Sequence, residues 1–374
     1  MENKTTTPKE ICGCVHLHTK FSDGGCDYNT LIKAAASAGL DYICVTDHMN
    51  LAGKDAGFEG RHSGVFVLVG YEHNDERQRN HYLAFGVPQT AEGATDPQDY
   101  INRVREMGGT GFLAHPAEKR VSTLDVLFNR VIGFLAHPPE KRCYFKTKPP
   151  YNWTRWDAEG FDGIEIWNQV SDWMEHLQGL RSFPRLFFPN RFIGDAPREL
   201  LDRWDEMNRA RFVSAIGGVD AHSLKFLCGG ITIYPIKMEL RGVRTHLFID
   251  EADWSGDGTA AKTLIDAMKD GKGFISNFSR GDARGSKIFL RDESGAVEYP
   301  GRPVNDLSLP ATINIELTQD AEIKLLRNGA AIQSTFGNAA AWPVTESGVY
   351  RIEARKRSGA WIYSNPFPVG QYPL

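Results

Sequence analysis

At 374 residues, with 41% hydrophobic and 24% charged residues, the chain is long enough for one large soluble globular domain and a smaller companion. A formal net charge of −4 excludes the basic surface that marks nucleic-acid binding, and no run of about eighteen apolar residues is present to span a membrane. The polar start, MENKTTTPKE, has no apolar signal core, and six scattered cysteines lack the spacing of a disulfide scaffold, so free thiols and a cytoplasmic location are expected.

The first apolar stretch, ICGCVHLHTKFSDG, alternates like a strand. Cys12, Cys14, His16 and His18 share one face, and Ile11, Gly13, Val15 and Leu17 the other. The strand stops in a polar turn, Lys20 to Gly25, that contains Asp23. Imidazole is the commonest metal ligand, and two rings at i and i+2 can share one ion. A lone H-x-H is more often a pair of hydrogen-bonded histidines, so the rest of the chain has to decide. Cys12 and Cys14, deeper on the same face, are expected to line a core behind the rings.

Residues 30–39 read as a helix with a threonine N-cap and a closing glycine. LDYICVTDH is an apolar strand ending in Asp47 and His48, and VFVLVGYE another ending in Glu72. HYLAFGV begins with His81, Asp96-Pro97 opens a helix to about Met107, and GTGFLAHP is a strand ending in His115. GFDGIEIWN ends in Asn168, a helix is expected near 198–211, and AIGGVDAHS ends in Asp220 and His222. Glu165 is set aside as a ligand because it points away from Ile164 and Ile166. Strand and helix alternate, which predicts a parallel, barrel-like α/β domain whose polar strand ends gather at one mouth.

Three further features stand out. The aromatic-rich stretch of about residues 140–205 is either an insertion covering the mouth or a second core layer. GFLAHPAEKR (111–120) recurs as GFLAHPPEKR (133–142), so His137 rivals His115 for one position; we take His115, which follows a well-marked helix and a Gly108-Gly109 stop. Beyond SRGDARGS the chain turns to short alternating segments with Gly-rich turns, predicting an all-β, sandwich-like domain over 285–374 after a first domain over 11–280. Support, substrate lining or assembly are the roles expected of it.

The strand ends together offer His16, His18, Asp23, His48, Glu72, His81, His115, Asp220 and His222. Nine nitrogen and oxygen donors exceed one ion's needs and suit two or three divalent ions, with Zn, Mn and Fe all compatible and Glu72 an evident bridge. Asp47 is the candidate second carboxylate or proton carrier, a strand-end turn former being the plainer reading. Lys20, and Lys119 or Arg120, could meet substrate anions, although solvated surface charge is the default.

In this order, H-x-H-T-x-F-S-D-G, T-D-H, G-x-E, A-H-P and D-A-H-S resemble the motifs of the PHP (polymerase and histidinol phosphatase) superfamily of metal-dependent phosphoesterases. The resemblance spans residues 11–223 and extends more weakly beyond, where GFDGIEIWN, RTHLFI, GKGFISN and AWIYSNPFPV are similar to the carbaryl-hydrolase-like branch. It implies a distorted (β/α)7 barrel. It also implies one ion held by His16, His18, Glu72 and Asp220, a second by Glu72, His81 and His115, and a third by Asp23, His48 and His222. The expected activity is hydrolysis of a small phosphorylated molecule by a metal-bridging hydroxide. A carbamate, ester or amide hydrolase and a catalytically quiet metal-binding module are the alternatives. No nucleic-acid or membrane partner is expected.

Overall fold

A computed structural model describes residues 8–75, 79–119, 151–176, 183–223, 225–226, 231–256, 258–302 and 308–370. Its core is a large mixed sheet seeded by β1 (Lys9–Leu17), seven of whose nine residues are buried. β1 pairs in parallel with β2 (Tyr42–Val45), which pairs in parallel with β3 (Val65–Val69). After Gly70 the chain resumes as β4 (Tyr71–His73) and turns back as β5 (Tyr82–Phe85). β5 lies antiparallel to β4 and to β6 (Thr110–Leu113). β7 (Gly163–Asn168) and β8 (Ser214–Ala221) continue in parallel, and β8 pairs with the C-terminal half of β1.

This differs from a regular strand–helix repeat. Only a short loop joins β4 to β5, and parallel pairing needs a crossover of a dozen or more residues, so β5 must run antiparallel. Helices do appear where their end signals are strong. Asp96 caps α2 (Pro97–Glu106) by accepting from Gln98 N–H, with Pro97 in the first turn. α1 (Tyr28–Ser37) starts earlier than the expected Thr30, because Asp27 is its cap and accepts from Thr30 N–H. The buried side of α1 packs with Cys12, Cys14 and Leu17 in one apolar cluster, the core expected behind the histidines.

Within the aromatic-rich stretch, Trp153, Trp167 and Trp204 pack with Tyr71, Tyr82 and Ile164 as an inner core. Trp204 belongs to α4 (Arg198–Ala210), whereas α3 (Gln169–Glu175) directly prolongs β7. Phe187 and Phe188 are exposed.

The sheet does not stop at the expected boundary. β9 (Val243–Ile249) adds antiparallel to the N-terminal half of β1, followed by β10 (Gly273–Asn277). Beyond β10 come β11 (Lys287–Asp292), the long hairpin β12 (Ala311–Arg327) and β13 (Ala330–Val344), then β14 (Gly348–Lys356) and β15 (Gly359–Ser364). β15 pairs with β10, so the C-terminal strands extend the same sheet. The first half of β12 pairs with β11 and its second half with β14. Between them Ile288, Ile313, Ile323, Ile352 and Trp361 pack with Phe248 and Phe274 from β9 and β10. The SRGDARGS run is tied down on both sides: Arg284 donates to Gly39 O at 2.9 Å, and Trp361 Nε1 to Gly281 O at 2.9 Å.

A buried ion pair joins α4 to β14. Arg351 donates from Nε and Nη2 to the two Asp205 oxygens at 2.6 and 2.7 Å, and from Nη1 to Glu353 at 2.7 Å. Removing one member of such a network leaves buried charge uncompensated. Arg351→Ala should therefore lower stability by about 3–5 kcal/mol, read as a fall in the urea midpoint at unchanged slope.

Candidate metal centre

The polar strand ends converge. Donor atoms of His16, His18, Glu72 and Asp220 lie within 4.8 Å of one another, and so do those of Glu72, His81 and His115, and of His18, Asp23, His48 and His222. Glu72 stands between the first two sets. Its Oε2 is 3.2 Å from both His16 Nε2 and His18 Nε2, whereas its Oε1 is 2.6 Å from His81 Nδ1 and 3.1 Å from His115 Nε2. Asp220 Oδ1 lies 3.4 and 3.3 Å from the same two inner rings. The outer set opens to solvent: Asp23 Oδ1 is 3.3 Å from His222 Nε2 and 3.6 Å from His48 Nε2, with the Asp23 side chain about half exposed.

The donors suit divalent cations. His16 Nε2, both ring nitrogens of His18, His48 Nδ1, His81 Nε2 and Glu72 Oε2 are buried without a hydrogen-bond partner. Each such atom left unsatisfied costs about 1–3 kcal/mol, and divalent ions bound among them would supply the missing partners. Three rings are also turned the right way. His16 Nδ1 is 2.8 Å from Glu165, His115 Nδ1 3.1 Å from Glu118 and His222 Nδ1 2.7 Å from the Asp220 carbonyl, so each Nε2 lone pair faces inward.

Electrostatics follow the geometry. Burial alone would raise the Glu72 carboxyl, but the His16, His81 and His48 rings hold it well below the usual range. Burial opposes charge on His115 and His18 too, yet neighbouring carboxylates raise them to about 10 and about 9. His48 goes the other way, lowered by burial to about 4.

Asp47 joins no donor set. One of its oxygens accepts from Thr19 N–H at 2.7 Å and from Ser22 Oγ at 2.6 Å, and the other from Thr19 Oγ1 at 2.7 Å. It therefore organises the turn that leads to Asp23. Gly24 in that turn abuts the His18 backbone, where a Cβ would meet His18 C at 2.4 Å. Lys20 is exposed and 3.8 Å from Asp27, and Lys119 is exposed and donates to Glu199 at 3.0 Å. His137 and Arg120 lie outside the described residues.

Glu165, set aside on the alternation of its strand, is central to the arrangement. Besides His16 it accepts from His115 N–H at 2.5 Å and from Asn168 Nδ2 at 2.9 Å. β7 is buried on both faces, so alternation there separates two interiors rather than core from solvent. A glutamate in so apolar a strand was the available signal. Glu118, three residues after His115, was missed as well. Gly218 on β8 makes room for Glu165, since a Cβ there would meet Glu165 Oε1 at 1.4 Å.

Residues 15–108 match the PHP domain model. No curated protein sequence matches the chain. Among solved structures, it is similar to a two-domain protein from Bacteroides vulgatus containing a predicted PHP-like metal-dependent phosphoesterase, at 13% identity over 96% of both chains with a TM-score of 0.45. It is also similar to PsfC from Pseudomonas syringae, at 16% identity over 70% of this chain and 90% of that one, TM-score 0.35. An amidohydrolase from Chromobacterium violaceum with bound sulfate shares 15% identity over 56% and 87%, TM-score 0.32. All three are remote in sequence and in superposition.

Two outcomes are expected. Gly218→Ala displaces Glu165 and should weaken metal binding about 10–100-fold, as should Glu165→Ala, measured by metal titration and elemental analysis. Rings raised to about 9 and about 10 hold protons at neutral pH, so loading should release protons and affinity should fall as pH falls, checked by calorimetry in buffers of different ionisation heat.

Proposed function

We propose that the chain is a metal-dependent hydrolase acting on a phosphate ester of a small molecule, with its donors divided among two or three divalent ions of Zn, Mn or Fe. The observation that carries this reading is the Glu72 carboxylate, one oxygen turned to each of two adjoining donor sets. Bound there, the ions would supply Lewis-acid polarisation of the scissile ester and of an attacking water. The strands β1 to β8, with β3 and β4 following one another across Gly70, are read as a distorted (β/α)7 barrel of PHP type, with domains over 11–280 and 285–374.

The chain's own residues orient and shield. Glu165 and Glu118 fix two ring orientations, and Asp47 holds the turn beneath the mouth. Burial of the inner sets keeps bulk water from competing, which strengthens every charge interaction there. Lys20 and Lys119 are the cations proposed to meet substrate anions. No serine or cysteine nucleophile is required.

Charge favours a phosphomonoester. Three dications against the carboxylates of Glu72, Asp220 and Asp23 leave an excess of three positive charges, suited to a dianion. With only the inner sets filled the excess falls to one, and a carbamate, ester or amide becomes the second reading.

The test is a parallel assay of p-nitrophenyl phosphate, a phosphodiester and an aryl carbamate, before and after chelation. Turnover of the monoester should vanish with chelator and return with Mn or Zn. Failure to turn over any of the three with metal restored would sink both enzymatic readings. In the same assay His115→Ala should abolish turnover and His137→Ala should not; equal losses would reject His115 as the ligand of the second set.

A further inference from the structure

We propose that Glu239, which belongs to no donor set, is the positioning residue that decides whether the outer set of Asp23, His48 and His222 can hold an ion. This rests on the reading of that set as metal-holding. Glu239 ends α5 (Ile236–Glu239), and its carboxylate is fully buried. Oε1 accepts from His222 N–H and Ser223 N–H, both at 3.2 Å, and Oε2 accepts from Ser223 N–H at 3.0 Å.

Those amides belong to a turn whose backbone is under strain. Asp220 and Ser223 have φ of 56° and 49°, in the left-handed region that side chains disfavour and that persists only where surroundings over-determine it. The two residues are not held alike. Asp220 lies within β8, which is fixed to β1 by the Leu17–Ala221 pairing and by His18 N–H donating to Ala221 O at 2.9 Å. His222 and Ser223 lie beyond the last paired residue, and Glu239 is what grips their amides.

The grip reaches a second donor. The His222 carbonyl accepts from Gly25 N–H at 2.6 Å, which docks the Asp23 turn on the segment that Glu239 secures. Glu239 is itself braced. Its carbonyl accepts from Gln169 Nε2 at 3.0 Å, and Gln169 Oε1 accepts from Val243 N–H at 2.7 Å. Gln169 Nε2 also donates to the Tyr234 hydroxyl at 2.6 Å. Two donors of the outer set, His222 and Asp23, thus depend on one buried carboxylate, whereas the inner sets are secured by strand pairing and by Glu165 and Glu118.

The experiment counts bound ions by Mn2+ titration and elemental analysis of the full chain. Wild type should take up three ions. Glu239→Ala should keep the two inner ions and bind the outer one at least about 10–100-fold more weakly, matching His222→Ala. Glu239→Gln, which retains an oxygen acceptor, should restore the third ion, a rescue that a general folding defect would not show. Should the alanine variant not fold, Glu239→Asp, with its carboxylate withdrawn by one methylene, should show the same selective loss. Three ions held at wild-type affinity in the alanine variant, loss of all ions together, no recovery with glutamine, or a wild type that takes up two ions would each overturn the proposal. Because no substrate enters the measurement, its failure is separate from failure of the hydrolase reading, which is seen only in turnover.

Discussion

The Glu72 carboxylate is the constraint on which the rest of the site depends. It is almost wholly buried, and five imidazoles approach it: His16, His18 and His48 on one oxygen, His81 and His115 on the other. A buried carboxylate is tolerated only where opposite charge or hydrogen-bond donors surround it. The five rings come from four separated segments of chain, so placing one charge fixes the ends of several strands at once. That common focus makes a set of dispersed histidines into a single site.

Around the donors stands a ring of carboxylates that bind no donor set but hold the backbone that carries one. Asp47 secures the Thr19–Ser22 turn, Glu165 the His16 ring and the His115 amide, and Glu239 the amides after Asp220. His16, His115 and Asp220 all have positive φ, an uncommon backbone for non-glycine residues. Strain gathered at strand ends and offset by buried hydrogen bonds is a means of presenting side chains at fixed angles. Preorganisation of this kind spares the site the entropy of ordering its donors when a cation arrives.

The C-terminal strands bear on the site indirectly. β1 carries His16 and runs directly into His18, and its N-terminal half is locked to β9, which leads through β10 and β15 into the C-terminal strands. His246 on β9 reinforces that seam, with Nδ1 2.7 Å from Glu10 and Nε2 2.8 Å from Ser276. The aromatic-rich stretch likewise serves more as support than as cover among the described residues. Trp153, Trp167 and Trp204 fill the core beneath α4, and Gln169 braces Glu239.

The sequence by itself determined which polar side chains stand at the strand ends. His16, His18, Glu72, His115 and Asp220, which the fold brings together, were legible because each stood where an apolar run ended. Helix ends with strong local signals, such as Asp96-Pro97, were legible for the same reason: the interaction lies within a few residues. What only the tertiary structure decided is everything set by contacts distant in sequence. The antiparallel course of β5 follows from a short loop and the neighbours it must meet. The continuation of one sheet through the expected domain boundary follows from pairing β10 with β15, some ninety residues apart. The roles of Glu165 and Glu239 could not be read from their own segments, because a buried carboxylate takes its meaning from the amides and rings that other strands bring to it. Periodicity reports which way a side chain points, and it is silent about what waits there.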